Sequence, residues 1–247
     1  RTVKLGFGDV VNAFHVVNNS PIAVQFYTVK DDKKGLVLSD QLLELSRNEQ
    51  FGSLPLEVES RWRLVETAWG LGISANLIVV SHDNENQLLF TQSANLQRID
   101  ITSSRSALNG YQKGKCFYCF STLTVTAGKF EHTDVDRFFP HKLKRVDHSY
   151  WNVDGVWNLV LACYNCNRGE GGKFDRLPHR KLLDRLHTRN NYLIDSHHPL
   201  RETLLAQTGK TEQARRSFLN DKYRHSETWL NAKNATWRPL IEEASAF

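Results

Sequence analysis

The chain has 247 residues, of which 40% are hydrophobic and 24% are charged, and it carries a net charge of +5. This composition excludes an intrinsically disordered chain, and the length suffices for one large or two modest domains. No apolar run reaches the roughly 18 residues that span a bilayer, so we expect a cytoplasmic protein without a membrane partner. Because the sequence lacks methionine and starts at Arg1, we expect the natural chain to begin before this residue.

The charge is unevenly divided along the chain. Residues 1–100 carry 9 Lys and Arg against 12 Asp and Glu, whereas residues 101–247 carry 23 against 15. A basic segment attracts polyanions, although an ordinary solvated surface has the same composition. From this change we predict an N-terminal accessory domain of unknown role over residues 1–100, through which partner proteins in a larger complex could bind.

The first hundred residues predict a mixed α/β domain. A strand is predicted over Ile22–Val29 and a short helix from Ser39. Apolar residues recur at helical spacing over residues 56–69, which predicts an amphipathic helix with Trp62 and Trp69 in the core. Two further strands are predicted to form a hairpin, over residues 76–81 and 87–90.

The basic half predicts a second, α+β arrangement. A helix is predicted over residues 104–111, two apolar strands over residues 133–139 and 157–163, and several helices after Pro178. We therefore predict an α+β protein with a central domain over residues 101–180 and a basic helical extension over residues 181–247.

The four cysteines form two C-x-x-C pairs, Cys116–Cys119 and Cys163–Cys166. Each pair presents two thiolates from one tight turn, and four thiolates form a tetrahedral structural zinc site. A redox pair needs only one such motif, and chance burial of thiols does not explain two identical spacings. We therefore predict a four-cysteine site for Zn²⁺, with a folded insert of 43 residues between the pairs.

The insert contains Val135-Asp136-Arg137-Phe138-Phe139-Pro140, and Asn158-Leu159 leads through the second cysteine pair to Asn167-Arg168-Gly169. In this order the two segments resemble the HNH, or ββα-metal, endonucleases, and specifically the members with two zinc knuckles. The resemblance covers residues 104–178. It implies that Asp136 and Asn167 hold a catalytic Mg²⁺ or Mn²⁺ and that Asn158 orders the loop between the strands.

The chemistry of phosphodiester cleavage agrees with these residue types. The reaction needs a divalent ion to neutralise charge on the phosphate and a base to deprotonate water. Hard cations bind oxygen ligands, which a carboxylate and an amide supply. Taken singly, each residue also has an ordinary role, since Asp136 suits a turn, Asn158 a strand-edge cap and Asn167 a helix N-cap.

The sequence departs from the family at the residue after Asp136. The family has histidine there as the general base, whereas this chain has Arg137, whose guanidinium has no acceptor and a pKa above roughly 12. Three accounts remain open. In the first, His141, His148 or His132 takes the proton from water. In the second, Arg137 binds the phosphate while the proton passes to solvent or substrate. In the third, the fold binds nucleic acid without cutting it. We favour the first, with His141 or His148 as the base.

Basic residues follow the second cysteine pair and occupy the loop between the strands. We predict that they contact backbone phosphates, which position a nucleic acid without reading its bases. Ordinary exposure on the surface is the alternative for each. The predicted contacts are Lys142, Lys144, Arg145, Arg168 and Lys173, and Arg180, Lys181, Arg185 and Arg189 could extend the track.

We therefore predict a metal-dependent HNH endonuclease that cleaves DNA, with RNA as another possible partner. The resemblance allows roles in bacterial defence or a CRISPR-type system and decides nothing among them. A catalytically weak or inactive nucleic-acid-binding subunit of a larger complex is the alternative. A zinc-scaffolded protein-interaction domain is a third hypothesis, and it predicts no affinity for nucleic acid at any salt concentration.

Overall fold

The computed structural model describes residues 11, 13–17, 19–30, 35–47, 51–52, 54–71, 81–83, 88–92, 98–100, 102–124, 133–146, 149–196, 198–231, 235–245 and 247. The chain divides into two compact units, Arg1–Gly52 and Ser53–Phe247. The boundary near residue 100 that the charge predicts falls inside the second unit. The helices in the described ranges lack the combination of length and apolar character that a membrane span requires.

In its described ranges the first unit contains short antiparallel strand pairs and the helix Asp40–Ser46. Val16–Val17 pairs with Ser20–Pro21, and Tyr27–Val29 pairs with Leu36–Leu38. The predicted strand over Ile22–Val29 is therefore limited to its last three residues. The predicted helix is confirmed as Asp40–Ser46, where the Ser39 hydroxyl caps the first turn by accepting a hydrogen bond from the Leu42 amide.

The second unit begins with helix Leu54–Gly70, whose buried side is not the predicted one. Trp62 and Trp69 were predicted to lie in the core, but they are 52% and 59% exposed, so that prediction is wrong. The helix instead buries Leu64 and Ala68 and packs against the 3-10 helix Thr102–Asn109. Helical spacing marks which residues share a face but not whether that face meets protein or water.

A three-stranded antiparallel sheet follows in chain order. Its strands are Ser81–Asp83, Leu88–Gln92 and Arg98–Asp100, with the second strand in the middle. The first two strands correspond to the predicted hairpin, of which residues 76–80 lie outside the described ranges.

The centre of the second unit is an antiparallel strand pair followed by a one-turn helix. Strand Thr133–Arg137 pairs with Leu159–Cys163, and helix Tyr164–Asn167 follows directly. Both strands are almost entirely buried, although only Leu159–Cys163 has an apolar sequence, whereas Thr133–Arg137 buries two aspartates and an arginine. Between them the chain forms further short elements: the 3-10 helices His141–Lys144 and Val156–Asn158 and the strand pair Arg145–Val146 with Ser149–Tyr150.

Three helices complete the second unit: Arg180–Asp195, Arg201–Thr208 and Glu212–Trp229. Their apolar faces share one core with the central strand pair, through residues such as Leu186, Leu204 and Tyr223. The segment over residues 181–247 is therefore integrated with the predicted central domain. The mixture of helices with small antiparallel sheets confirms the predicted α+β class.

Candidate functional site

The four cysteines converge on one point. Their sulfur atoms all lie within 4.8 Å of one another, and the sulfurs of Cys119 and Cys163 are 3.8 Å apart. A tetrahedral zinc ion with Zn–S bonds near 2.3 Å separates its sulfur ligands by about 3.8 Å. The cluster could therefore hold a zinc ion, as its spacing predicts.

Hydrogen bonds from backbone amides and between the thiols change how readily these sulfurs lose their protons. The Cys163 amide points at the sulfur of Cys116, and the Cys166 amide at that of Cys163, both at 3.4 Å. Hydrogen bonding with Cys116 lowers the pKa of Cys119 to about 6, whereas hydrogen bonding with Cys119 raises the pKa of Cys116. Four thiolates this close repel one another, so full deprotonation requires a bound cation.

A polar cleft of about 260 Å³ lies beside the strand pair, the following helix and the loop after it. It brings together six of the predicted site residues, which are separated along the chain. They are Asp136, Arg137, His141, Asn167, Arg168 and Lys173, and the remaining lining residues are Pro140, Phe174 and Asp175.

Asp136 is buried in this cleft between two donors. The Tyr118 hydroxyl donates to Asp136 Oδ2 over 2.5 Å, and the Lys173 ammonium lies 3.2 Å from the same atom. Burial raises the pKa of Asp136, while the charge of Lys173 opposes that rise. The carboxyl group therefore lies in a desolvated place, where a nearby positive charge stabilises its ionised form.

Tyr118 links the cysteine cluster to this carboxylate, a role that the sequence did not predict. The residue lies between Cys116 and Cys119, and burial raises its own pKa, so the hydroxyl keeps its proton and donates a hydrogen bond to Asp136. A tyrosine within a C-x-x-C turn is an ordinary hydrophobic filler by sequence, so its position alone offered no signal.

A second buried carboxylate, Asp134, was also missed. It precedes Asp136 by two residues on the same strand, which places both side chains on one face. The Asn167 side-chain amide donates to Asp134 over 2.9 Å, and Arg168 forms an ion pair with Asp134 at the same distance. The alternation of aspartates along a strand was the signal that could have identified it.

The loop after the second cysteine pair requires its glycines. A Cβ at Gly169 would lie 2.7 Å from the Asn165 Cα, and Gly171 has a φ of +71°. This tight turn lets the Lys173 amide donate to the Cys166 carbonyl and the Phe174 amide donate to the Asn167 carbonyl. The loop therefore returns Lys173 and Phe174 to the cleft.

Asp154 lies close to three basic side chains, one of which is Arg137. Its carboxylate is 2.7 Å from Arg137 Nη2, 3.0 Å from Lys144 Nζ and 3.7 Å from His141 Nδ1. Burial alone would raise the pKa of Asp154, but the charges of Arg137 and Lys144 outweigh it and lower that pKa. His141 remains 53% exposed, so its ring is open to the cleft while a carboxylate lies behind it.

Asn158 lies beneath the cleft and is completely buried. Its side chain accepts a hydrogen bond from the Phe139 amide and donates to the carbonyls of Phe139 and Val153. These bonds join the two ends of the segment between the strands. The residue therefore contacts backbone rather than the cleft.

The predicted phosphate contacts lie in different environments. Lys142 is exposed, and Arg168 is half exposed at the cleft. The surface position expected of Lys173 is wrong, because its side chain is 1% exposed and paired with Asp136. Arg189 is also fully buried, where it donates to the Val156 carbonyl, so it cannot extend a surface track.

Two further predicted phosphate contacts, Lys144 and Arg145, and two further candidate bases, His148 and His132, were also named from the sequence. Lys144 is paired with Asp154, and Arg145 lies in strand Arg145–Val146. His148 and His132 lie outside the described residues.

Known proteins offer no further guide to the site. No family model, no curated protein and no solved structure matches this chain.

Proposed function

We propose that the second unit is a metal-dependent endonuclease of the HNH, or ββα-metal, type that hydrolyses phosphodiester bonds in DNA. The observation that carries this proposal is the cleft in which Asp136, His141 and Asn167 meet. An oxygen-rich, metal-compatible site beside an exposed imidazole and several cations suits phosphoryl chemistry better than the other reaction classes that these residues allow.

Asp136 and Asn167 are the residues that would hold a Mg²⁺ or Mn²⁺ ion. Asp136 is a buried carboxylate, and the second carboxylate, Asp134, already bonds the side chain of Asn167. This donor set is made of oxygen groups, which fits a hard cation. A bound ion would neutralise charge on the scissile phosphate and on the leaving oxygen.

His141 is the residue that we propose to accept the proton from water. Its Nδ1 lies 3.7 Å from Asp154, which is too long for a hydrogen bond in this conformation. We propose that the ring moves toward this carboxylate when substrate binds, which would leave Nε2 as the acceptor. Arg137 cannot take this role, and its guanidinium is held by Asp154 at the edge of the cleft. We propose that it contributes positive charge toward a phosphate.

The proposed structural Zn²⁺ at the cysteine cluster would keep this small site rigid. The first cysteine pair contacts the strand behind the cleft, since the Phe117 amide donates to the Leu161 carbonyl over 3.0 Å. The second pair begins the helix that carries Asn167. A zinc ion joining both pairs would therefore hold Tyr118, Asp136 and Asn167 in register.

The test is cleavage of supercoiled plasmid and labelled oligonucleotides with Mg²⁺ or Mn²⁺. We expect metal-dependent nicking by the zinc-loaded chain, and loss of at least about 100-fold in rate for Asp136→Ala or His141→Ala, as for removal of a general base. Asp184→Ala is the matched control, since Asp184 is an exposed carboxylate on helix Arg180–Asp195 away from the cleft. Equal activity in Asp136→Ala and Asp184→Ala would refute the proposal.

A non-cleaving nucleic-acid-binding module is the second candidate. It is favoured by the Lys173 ammonium, which lies 3.2 Å from Asp136 and already supplies a positive charge to this carboxylate. In that case the protein binds nucleic acid with a steep salt dependence but cuts neither substrate with either ion.

A further inference from the structure

The aromatic side chain at the cleft is exposed to solvent. Phe174 lines the cleft and is 57% exposed, whereas Phe138 and Phe139, which follow strand Thr133–Arg137, are fully buried. An exposed phenyl ring loses unfavourable contact with water when it meets another flat apolar surface. The ring therefore stands where a ligand of the cleft would touch it.

The backbone holds Phe174 in a strained conformation. Its φ is +48°, in the left-handed region that side chains with a Cβ rarely adopt. The peptide groups on either side are fixed, since its amide donates to the Asn167 carbonyl and its carbonyl accepts from Lys173 Nζ, both at 2.9 Å. Glycine would adopt this conformation without strain, and Phe174 buries less than half of its surface against the protein to offset that strain.

Three basic residues line the cleft together with this ring, and a second aromatic residue lies close to one of them. Arg168 is half exposed, whereas Arg137 and Lys173 are buried in ion pairs with Asp154 and Asp136. The Arg168 guanidinium lies 5.4 Å from the centre of the Tyr164 ring, which is itself 45% exposed. Aromatic side chains interleaved with cations form the surface on which the bases of a single strand stack while its phosphates meet positive charge.

We propose that Phe174 is a base-stacking residue and that the cleft takes single-stranded nucleic acid or an unpaired nucleotide. In a duplex the faces of each base are covered by its neighbours, so only an unstacked base can use this ring. The proposal rests on the proposed nuclease function, because it names the substrate class of that cleft.

Binding should be measured by fluorescence anisotropy on the zinc-loaded full chain without Mg²⁺ or Mn²⁺. The probes are a labelled 20-nucleotide DNA strand, the RNA strand of the same sequence and the corresponding DNA duplex. Phe174→Ala is expected to weaken binding of the preferred single strand by roughly 5- to 100-fold and to leave duplex affinity unchanged. The DNA and RNA strands distinguish the two sources of an unstacked base.

Two further variants separate stacking from packing and charge. Phe174→Gly should weaken single-strand binding in the same way while raising the melting temperature, because it removes the strain. Trp229→Ala, at a 50% exposed aromatic at the end of helix Glu212–Trp229, should change neither affinity. Phe174→Ala should also leave the salt dependence of binding unchanged, since it removes no charge.

The outcomes distinguish this inference from the proposed function. Equal loss of single-strand and duplex affinity in Phe174→Ala, or no loss, overturns the stacking role even if the wild type cuts DNA with Mg²⁺. Selective loss of single-strand affinity supports the stacking role even if the wild type cuts neither substrate, a result that would refute the nuclease proposal instead.

Discussion

The buried ion pair of Lys173 and Asp136 permits a direct test of whether the Asp136 carboxylate is ionised and desolvated. Their side chains are 1% and 8% exposed, and the charged atoms are 3.2 Å apart. Replacing Lys173 by methionine keeps most of the apolar stem but leaves the Asp136 carboxylate without its buried partner. Loss of one member of a buried ion pair costs roughly 3–5 kcal/mol. We therefore expect Lys173→Met to lower the free energy of unfolding by about this amount.

Urea denaturation of the zinc-loaded chain measures this change. The matched control is Arg216→Met, which breaks the pair of Arg216 with Asp184 at 3.6 Å, where the side chains are 55% and 75% exposed. An exposed pair contributes about 0–1 kcal/mol, so the control should be nearly neutral. A Lys173→Met variant as stable as the control would contradict the reasoning that Asp136 is ionised and desolvated.

Added Mn²⁺ tests the proposed metal site in the same variant. If a divalent ion binds Asp136, it replaces the missing positive charge, and stability should rise by about 1.4 kcal/mol for each tenfold increase in Mn²⁺ above the dissociation constant. The wild type should respond at higher Mn²⁺ concentrations because its ammonium already lies at Asp136. Stability of Lys173→Met that is insensitive to Mn²⁺ would refute metal binding at this carboxylate.

Four further predictions concern the cysteine cluster, the buried residues Asn158 and His198, and the carboxylate of Asp154. Removal of zinc with a chelator should expose free thiols to a colorimetric reagent and lower the melting temperature, and unreactive thiols after chelation would contradict the four-cysteine site. Asn158→Ala leaves three buried backbone groups unpaired, so urea denaturation should show a loss of roughly 3 kcal/mol, and a loss below 1 kcal/mol would contradict this accounting. Burial lowers the pKa of His198 to about 3, so protonation of this ring favours the unfolded chain. The free energy of unfolding should therefore fall by roughly 2 kcal/mol from pH 7 to pH 5, and His198→Gln should lack this pH-dependent loss. Asp154→Asn should reduce the rate of cleavage and shift its pH profile with little change in KM, whereas an unshifted profile would remove Asp154 as the residue that orients His141.

The pattern of residues along the chain was sufficient for the cysteine cluster and for most of the helices and central strands. Each C-x-x-C spacing determines the relative position of its own two sulfurs, because one tight turn sets them side by side. Likewise, the apolar residues of Arg180–Asp195 recur at a period that only a helix brings to one face. Such signals are local, so they do not depend on knowing what packs against them.

The same kind of signal failed for the helix Leu54–Gly70. Its tryptophans share a face, as the period indicates, but Trp62 and Trp69 pack edge-to-face on each other at the surface, while Leu64 and Ala68 face the core. Which face is covered depends on a neighbour that is distant in sequence, here the 3-10 helix Thr102–Asn109. Periodicity contains no information about that neighbour.

By itself the sequence determined the four-cysteine pattern, the α+β class and the identity of the residues that we propose to hold a cation or move a proton. Tertiary structure alone decided their partners: Tyr118 and Lys173 at Asp136, Asp154 behind His141, and Phe174 exposed at the cleft. The physical reason is that side-chain charge and hydrogen bonding act over a few ångströms, and folding sets those distances between residues far apart in the chain.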